Sequence, residues 1–169
     1  MFHLTQETPE DRAEVELLLD LAFAPGRGAL SSYRLRQHVA PIAELCVVAR
    51  DEFNAVAGCI RYWPVQIGVD RAPALLLGPI AVHPTRQGEG LGALLISETL
   101  SQARDLGWQR VLLIGDAEYY CRFGFSSEFT CDIIFPKPYN AERLLVVALE
   151  EGAFDQVFGP VQSWDTPAT

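Results

Sequence analysis

Apolar residues at Val15, Leu18, Leu19, Ala22 and Phe23 fall three and four apart, the spacing of one helix face. Thr8, Pro9 and Asp11 supply its start: threonine caps, proline is tolerated at the first helical position, and an acid suits the helix dipole. Pro25, Gly26 and Gly28 end it; a short polar helix follows over 31–38, and Pro41 is a break. Segments 45–50 (LCVVAR) and 55–67 (AVAGCIRYWPVQI) are rich in β-branched and aromatic residues. They predict an antiparallel hairpin turning at 51–54. Gly58 and Pro64 in the second run imply an irregularity or an edge. Segment 75–82 (LLLGPIAV) predicts a further strand, in which Pro79 fits only if a bulge or a splay interrupts the ladder.

A long helix over about 89–105 carries Ile96, Leu100 and Ala103 on one face, with Leu95, Thr99 and Leu106 beside them. Segment 111–114 is wholly apolar, a strand covered on both sides. Segment 117–122 reads as a short helix, 144–149 as a strand, and 159–164 adds one more strand. The sum is a single mixed α/β domain over 1–169, with six or seven strands.

Composition agrees with that pattern. Of 169 residues 49% are apolar and 21% charged, enough to bury a core in one domain. No apolar run approaches the ~20 residues that span a bilayer. The opening MFHLTQETPE lacks the basic and apolar regions of a secretory signal. Cys46, Cys59, Cys121 and Cys131 form no C-x-x-C pair and no zinc spacing, so reduced thiols, no metal and a cytoplasmic location are expected. The formal charge of −9 disfavours nucleic acid and is compatible with a cationic acceptor such as a polyamine, a lysine side chain or an amino sugar.

The informative segment is HPTRQGEGLG, 83–92, between a strand and an amphipathic helix. Glycines let the backbone approach an anion, and the first helical amides have no internal partners, so a pyrophosphate is the natural occupant. A P-loop would need a lysine and a hydroxyl residue that are missing, and a Rossmann fingerprint would sit early in a βαβ unit. Glycine for tightness alone is the remaining alternative.

QGEGLG (Gln87, Gly88, Glu89, Gly90, Leu91, Gly92) matches the Q/R-x-x-G-x-G/A signature of Gcn5-related N-acetyltransferases. IAVHP before it resembles that family's central strand and exit, and Tyr120, Gly124 and Phe125 resemble its Y-x-x-x-G-F element. GPIAVHP together with GDAEYYCRFGF is similar to the YhbS-like subgroup. The resemblance is strong over 75–125, looser on the hairpin and vague after Thr130.

That resemblance implies a mostly antiparallel sheet splayed between its fourth and fifth strands and flanked by about four helices. It implies acetyl-coenzyme A as co-substrate and an amine as acceptor. Ile80, Ala81 and Val82 would offer backbone groups to pantetheine and thioester, with Val82 the first choice for an oxyanion donor. The amides of 87–92 would hold the pyrophosphate, and Tyr120 would protonate the leaving sulfur, its alternative being a packing aromatic. The family's central-strand glutamate is missing from LLLGPIAV. Asp116, His83 and Glu118 are the nearest candidates for a base, and the plainer readings, a helix cap, a turn residue and a surface acid, are preferred for them. An acyl-Cys121 route would need a base and a lowered thiol pKa. Tyr62 and Trp63 line either the acceptor pocket or the core. A degenerate acyl-coenzyme A-binding module is the competing function, and a dinucleotide-binding protein a third. Homodimers are common in the family, but no exposed apolar helix face is evident here.

Overall fold

The computed structural model describes residues 1–23 and 31–166. Its eight strands are β1 (His3–Gln6), β2 (Val47–Arg50), β3 (Val56–Ile67), β4 (Ala72–Val82), β5 (Arg110–Ile114), β6 (Ile133–Ile134), β7 (Leu144–Ala148) and β8 (Gly159–Ser163). Four α-helices accompany them: α1 (Arg12–Ala22), α2 (Ser31–Arg34), α3 (Leu91–Asp105) and α4 (Ala117–Tyr120). The sheet runs β1-β2-β3-β4-β5-β7, and β8 joins β3 at Val65–Ile67 and β6 in turn. Only β4–β5 and β6–β8 are parallel among the described strands.

The hairpin, the long helix and the later strands stand where the hydrophobic pattern puts them. β1 and β6 are additional: both are short, and the mostly exposed β1 carries no apolar alternation to mark it. The polar helix expected over 31–38 covers only Ser31–Arg34. The expected stop at Pro25, Gly26 and Gly28 lies outside the described residues; α1 ends at Ala22 with Phe23 as cap.

Alternation along the strands divides the core. Leu75, Leu77, Val111 and Leu113 pack against Leu91, Leu95, Ile96 and Leu100 of α3 on one face. On the other, Ala74, Leu76 and Leu112 meet Leu35, Phe135, Phe154 and Val161, while Val15, Leu18 and Leu19 of α1 cover Val48, Cys59 and Ala81. Gly58 makes the α3 contact close: a Cβ there would stand 2.9 Å from Leu91 Cδ2. Pro64 is accommodated in mid-sheet. Ile42 N donates to Tyr62 O across the edge facing away from β4, so by strand alternation Pro64 turns its nitrogen to that edge too. Pro64 falls there between the β2-paired and β8-paired stretches and deprives no neighbour of a hydrogen bond. One expectation is reversed: Leu17 and Leu21, a turn apart on α1, are 68% and 57% exposed, an apolar face on a helix.

Candidate functional site

β4 touches β5 at two positions only, Leu75↔Val111 and Leu76↔Leu112. Beyond them the strands part, and among the described strands the chain from Leu77 to Val82 keeps only β3 as a neighbour. Opposite the parting, Arg61 faces both Gly78 and Pro79, because the β3–β4 register shifts between Ile60↔Ile80 and Tyr62↔Leu77. The awkward Pro79 therefore marks a bulge at the mouth of a splay. His83 N donates to Ala57 O at 2.8 Å, so alternation turns the backbone of Ala81 toward β3 and leaves the amides and carbonyls of Ile80 and Val82 on the open edge.

Two cavities border this opening. One, of about 520 Å³, is lined by Leu77 to Ile80, the end of β5, Asp116, Tyr119, Tyr120, Arg143 and, from the α2 segment, Tyr33 and Arg36. The other, of about 530 Å³, is lined by Val82, Gln87, Gly88, Gly90, Leu91, Gly92, Tyr119 and Arg122. Tyr119 borders both. Val82 thus stands beside the glycine turn, whereas Ile80 shares its cavity with Tyr120.

The turn leaves backbone amides open to the second cavity. Gly88 and Gly90 have φ of +84° and +79°, left-handed values that glycine adopts without strain, and a Cβ at either would meet nothing within 4 Å. Gly90 caps α3 with no side-chain bond to the first-turn amides, the earliest i to i−4 bond being Leu94 N to Gly90 O. Those amides and the helix dipole face the cavity. Arg122 adds a cation, its guanidinium 4.6 Å from the Tyr119 ring centre and its Nε donating to Tyr119 O. Glu89 does not line the cavity; its carboxylate pairs with Arg86 at 2.8 Å. Arg86 also binds Asp51 at 3.0 Å, so this arginine is spoken for.

Tyr120 is half-buried at the first cavity, packed edge-on to Tyr119 and Phe125. Burial, then the neighbouring Tyr119, raises its phenol pKa, so the hydroxyl keeps its proton. Of the suggested bases, Asp116 caps α4 by accepting from Glu118 N at 3.0 Å, while lining the cavity. His83 Nδ1 accepts from Thr85 N and does not line it. Glu118 is exposed. Cys121 is exposed too, its thiol donating to Glu118 O outside the cavity lining. Tyr62 is core rather than pocket, fully buried with its hydroxyl 2.7 Å from Thr99 Oγ1. Trp63 is half-buried and donates its indole N–H to Gly78 O at 2.7 Å, bracing the bulge. Arg36, Tyr33 and Arg143 escaped the sequence reading: they come from irregular or barely helical segments far from any motif.

Residues 43–127 match the family model described as an acetyltransferase (GNAT) domain. The chain is 28% identical over 156 residues to the N-acetyltransferase YhbS of Escherichia coli K12, covering 92% of each. The crystal structure of Escherichia coli YhbS in complex with CoA superimposes with a TM-score of 0.84 at 26% identity, over 96% of this chain and 89% of that one. A GNAT family acetyltransferase of Brucella melitensis in complex with acetyl-CoA gives 0.71 at 29% identity, over 98% and 97%.

Proposed function

Because the chain belongs to the GNAT acetyltransferase family, we propose that it is an N-acetyltransferase moving the acetyl group of acetyl-coenzyme A onto a primary amine by direct attack on the thioester. The observation that carries this reading is the coincidence of an open strand edge at Ile80 and Val82 with an uncapped helix start at Gly90, Leu91 and Gly92. An edge accepts an extended amide-bearing arm as an added strand, and free helical amides accept a pyrophosphate. The complexes of similar proteins with CoA and acetyl-CoA support the same occupant.

In this reading the amides about Gly88 to Gly92, with Arg122, hold the diphosphate, and the Val82 and Ile80 backbone aligns the arm. The Ile80 amide, sharing a cavity with Tyr120, is the donor to the acyl oxygen as negative charge grows there, replacing Val82 in that role. The amine nitrogen bonds to the acyl carbon, the carbon–sulfur bond breaks, and Tyr120 gives its proton to the departing sulfur. Among the described residues Asp116 is the one carboxylate lining this cavity, and it is engaged as the α4 cap, so in this reading the amine's own proton passes to water. That shortage also favours a second reading, a degenerate module that binds acyl-coenzyme A without turnover. Calorimetry with acetyl-coenzyme A beside a thiol-release assay on amines separates the two: binding with release supports transfer, binding without release supports the module.

Among the described residues no helix is long and apolar enough to cross a membrane. Four unpaired cysteines support a reducing, cytoplasmic setting. Burial holds Cys46 up to about 11 and Cys59 up to about 12, which keeps both as inert thiols.

A further inference from the structure

We infer that the acceptor carries a carboxylate beside its amine and that Arg36 receives it; this rests on the acetyl-transfer reading of the same cavity. Arg36 lines the cavity between the β4 bulge and α4. Its guanidinium lies 4.1 Å from the centre of the Tyr33 ring and 5.5 Å from that of Trp63, and a Cβ on Gly78 would stand 3.3 Å from Nη2. The stack fixes the group against the bulge where the strands part. Yet its Nε and Nη1 are buried with no hydrogen-bond partner, although they carry most of the N–H donors of the guanidinium.

A buried cation without a counter-charge is costly, and an unsatisfied buried group calls for an explanation, of which a ligand that completes it is one. The described residues offer no completion. No carboxylate pairs with Arg36 among the described residues, and segment 24–30 (APGRGAL) contains neither Asp nor Glu. The nearby Arg61 is held by Glu7 at 3.0 Å and Glu16 at 3.3 Å, so its carboxylates are already committed. Desolvation brings the Arg36 guanidinium down to about 10, still cationic at neutral pH.

Size and charge favour a carboxylate over the alternatives. Charged groups lining the cavity are Arg36, Arg143 and Asp116, and the last is engaged as the α4 cap. The balance is positive in a chain of net charge −9, the reverse of the cationic acceptor that the overall charge suggests. The phosphates of the cofactor belong to the other cavity, with its glycine amides and Arg122. A planar guanidinium set against aromatic rings matches a planar carboxylate. Ser32 and Tyr33, also on the wall, offer hydroxyls to a second oxygen.

The test uses the full chain with acetyl-coenzyme A and paired acceptors: L-amino acids and ω-amino acids from glycine to 6-aminohexanoate, each against its carboxamide. Thiol release is expected to favour some acids over their amides by about tenfold or more in kcat/KM. Arg36→Gln collapses that ratio toward one and Arg36→Lys restores part of it, while acetyl-coenzyme A affinity, measured by calorimetry, stays within about twofold and certifies the fold. Equal turnover of acids and amides, or a ratio unmoved in Arg36→Gln, overturns the carboxylate assignment and leaves acetyl transfer standing. Acid binding to the protein–CoA complex that is lost in Arg36→Gln, with no thiol release, supports the assignment and removes acetyl transfer. Neither release nor acid binding overturns both.

Discussion

Tyr119 sets its hydroxyl against the backbone of Gly92, so close that a Cβ on Gly92 would lie 2.9 Å from the oxygen. The contact joins the first turn of α3 to α4, and so ties the glycine turn to the cavity that holds Tyr120.

Gly92→Ala tests that junction. Gly92 lies within α3 and has no left-handed φ, so alanine suits the helix and gains a fraction of the ~1 kcal/mol that separates the two residues there. The added methyl must push Tyr119 aside. Melting temperature is expected to hold or rise, while acetyl-coenzyme A affinity falls roughly three- to tenfold. Undiminished affinity would show that Tyr119 and Gly92 move without consequence for the cofactor.

Tyr120→Phe removes the proposed proton donor and keeps the ring packed on Phe125. Rate kcat is expected to fall about a hundredfold with cofactor affinity preserved. The phenol is raised above its ordinary ~10, so it stays protonated until pH passes that value, and an alkaline loss of activity from this group begins only above it. A wild-type pH profile declining well below pH 9, with the same decline in Tyr120→Phe, would assign the limb to another group.

The parts of this site that are legible in the sequence are those that only one residue type can fill. Gly88 and Gly90 occupy left-handed conformations in a strand-to-helix turn, and Pro79 stands where a ladder must break. Each leaves a mark that composition or pattern reveals. Arg36 leaves none: its meaning lies in the missing partner for a buried guanidinium, a property of three-dimensional surroundings. Tyr62 and Trp63 are neighbours on one strand, and alternation sends them to opposite faces, but which face meets α3 is decided by packing. The same holds for Ile80, Ala81 and Val82, whose backbone directions follow from the phase of the β3 ladder.

Tyr62→Phe distinguishes core from pocket. The Tyr62 hydroxyl bonds Thr99, whose own hydroxyl donates to Leu95 O at 2.6 Å, so removing the phenol oxygen deletes one buried bond and leaves the threonine satisfied. The expected cost is about 1 kcal/mol, a drop of roughly 2–4 °C in Tm, with kcat/KM unchanged. A selective rise in acceptor KM without loss of Tm would return Tyr62 to the acceptor site.

Asp11 anchors the start of α1 and lines neither cavity. Its carboxylate accepts from Thr8 N at 2.8 Å, from Thr8 Oγ1 at 3.0 Å and from Arg50 Nη2 at 2.6 Å. Arg50 chiefly, then the Thr8 amide, holds the carboxyl pKa below its ordinary value against the opposing effect of burial. A depressed carboxyl stabilises the fold above the unfolded pKa of ~3.9, and the contribution is lost as pH falls from there through the folded value. Asp11→Asn keeps the shape and removes the charge, so it is expected to cost about 1 kcal/mol at pH 7. The gap from wild type should narrow toward pH 3, because the carboxyl of the unfolded chain takes up its proton below ~3.9, and turnover at pH 7 should not change. Denaturant melts of both proteins at the two pH values measure this directly. A gap equally wide at pH 3 and pH 7 would mean that shape, not charge, is what Asp11 contributes to the cap.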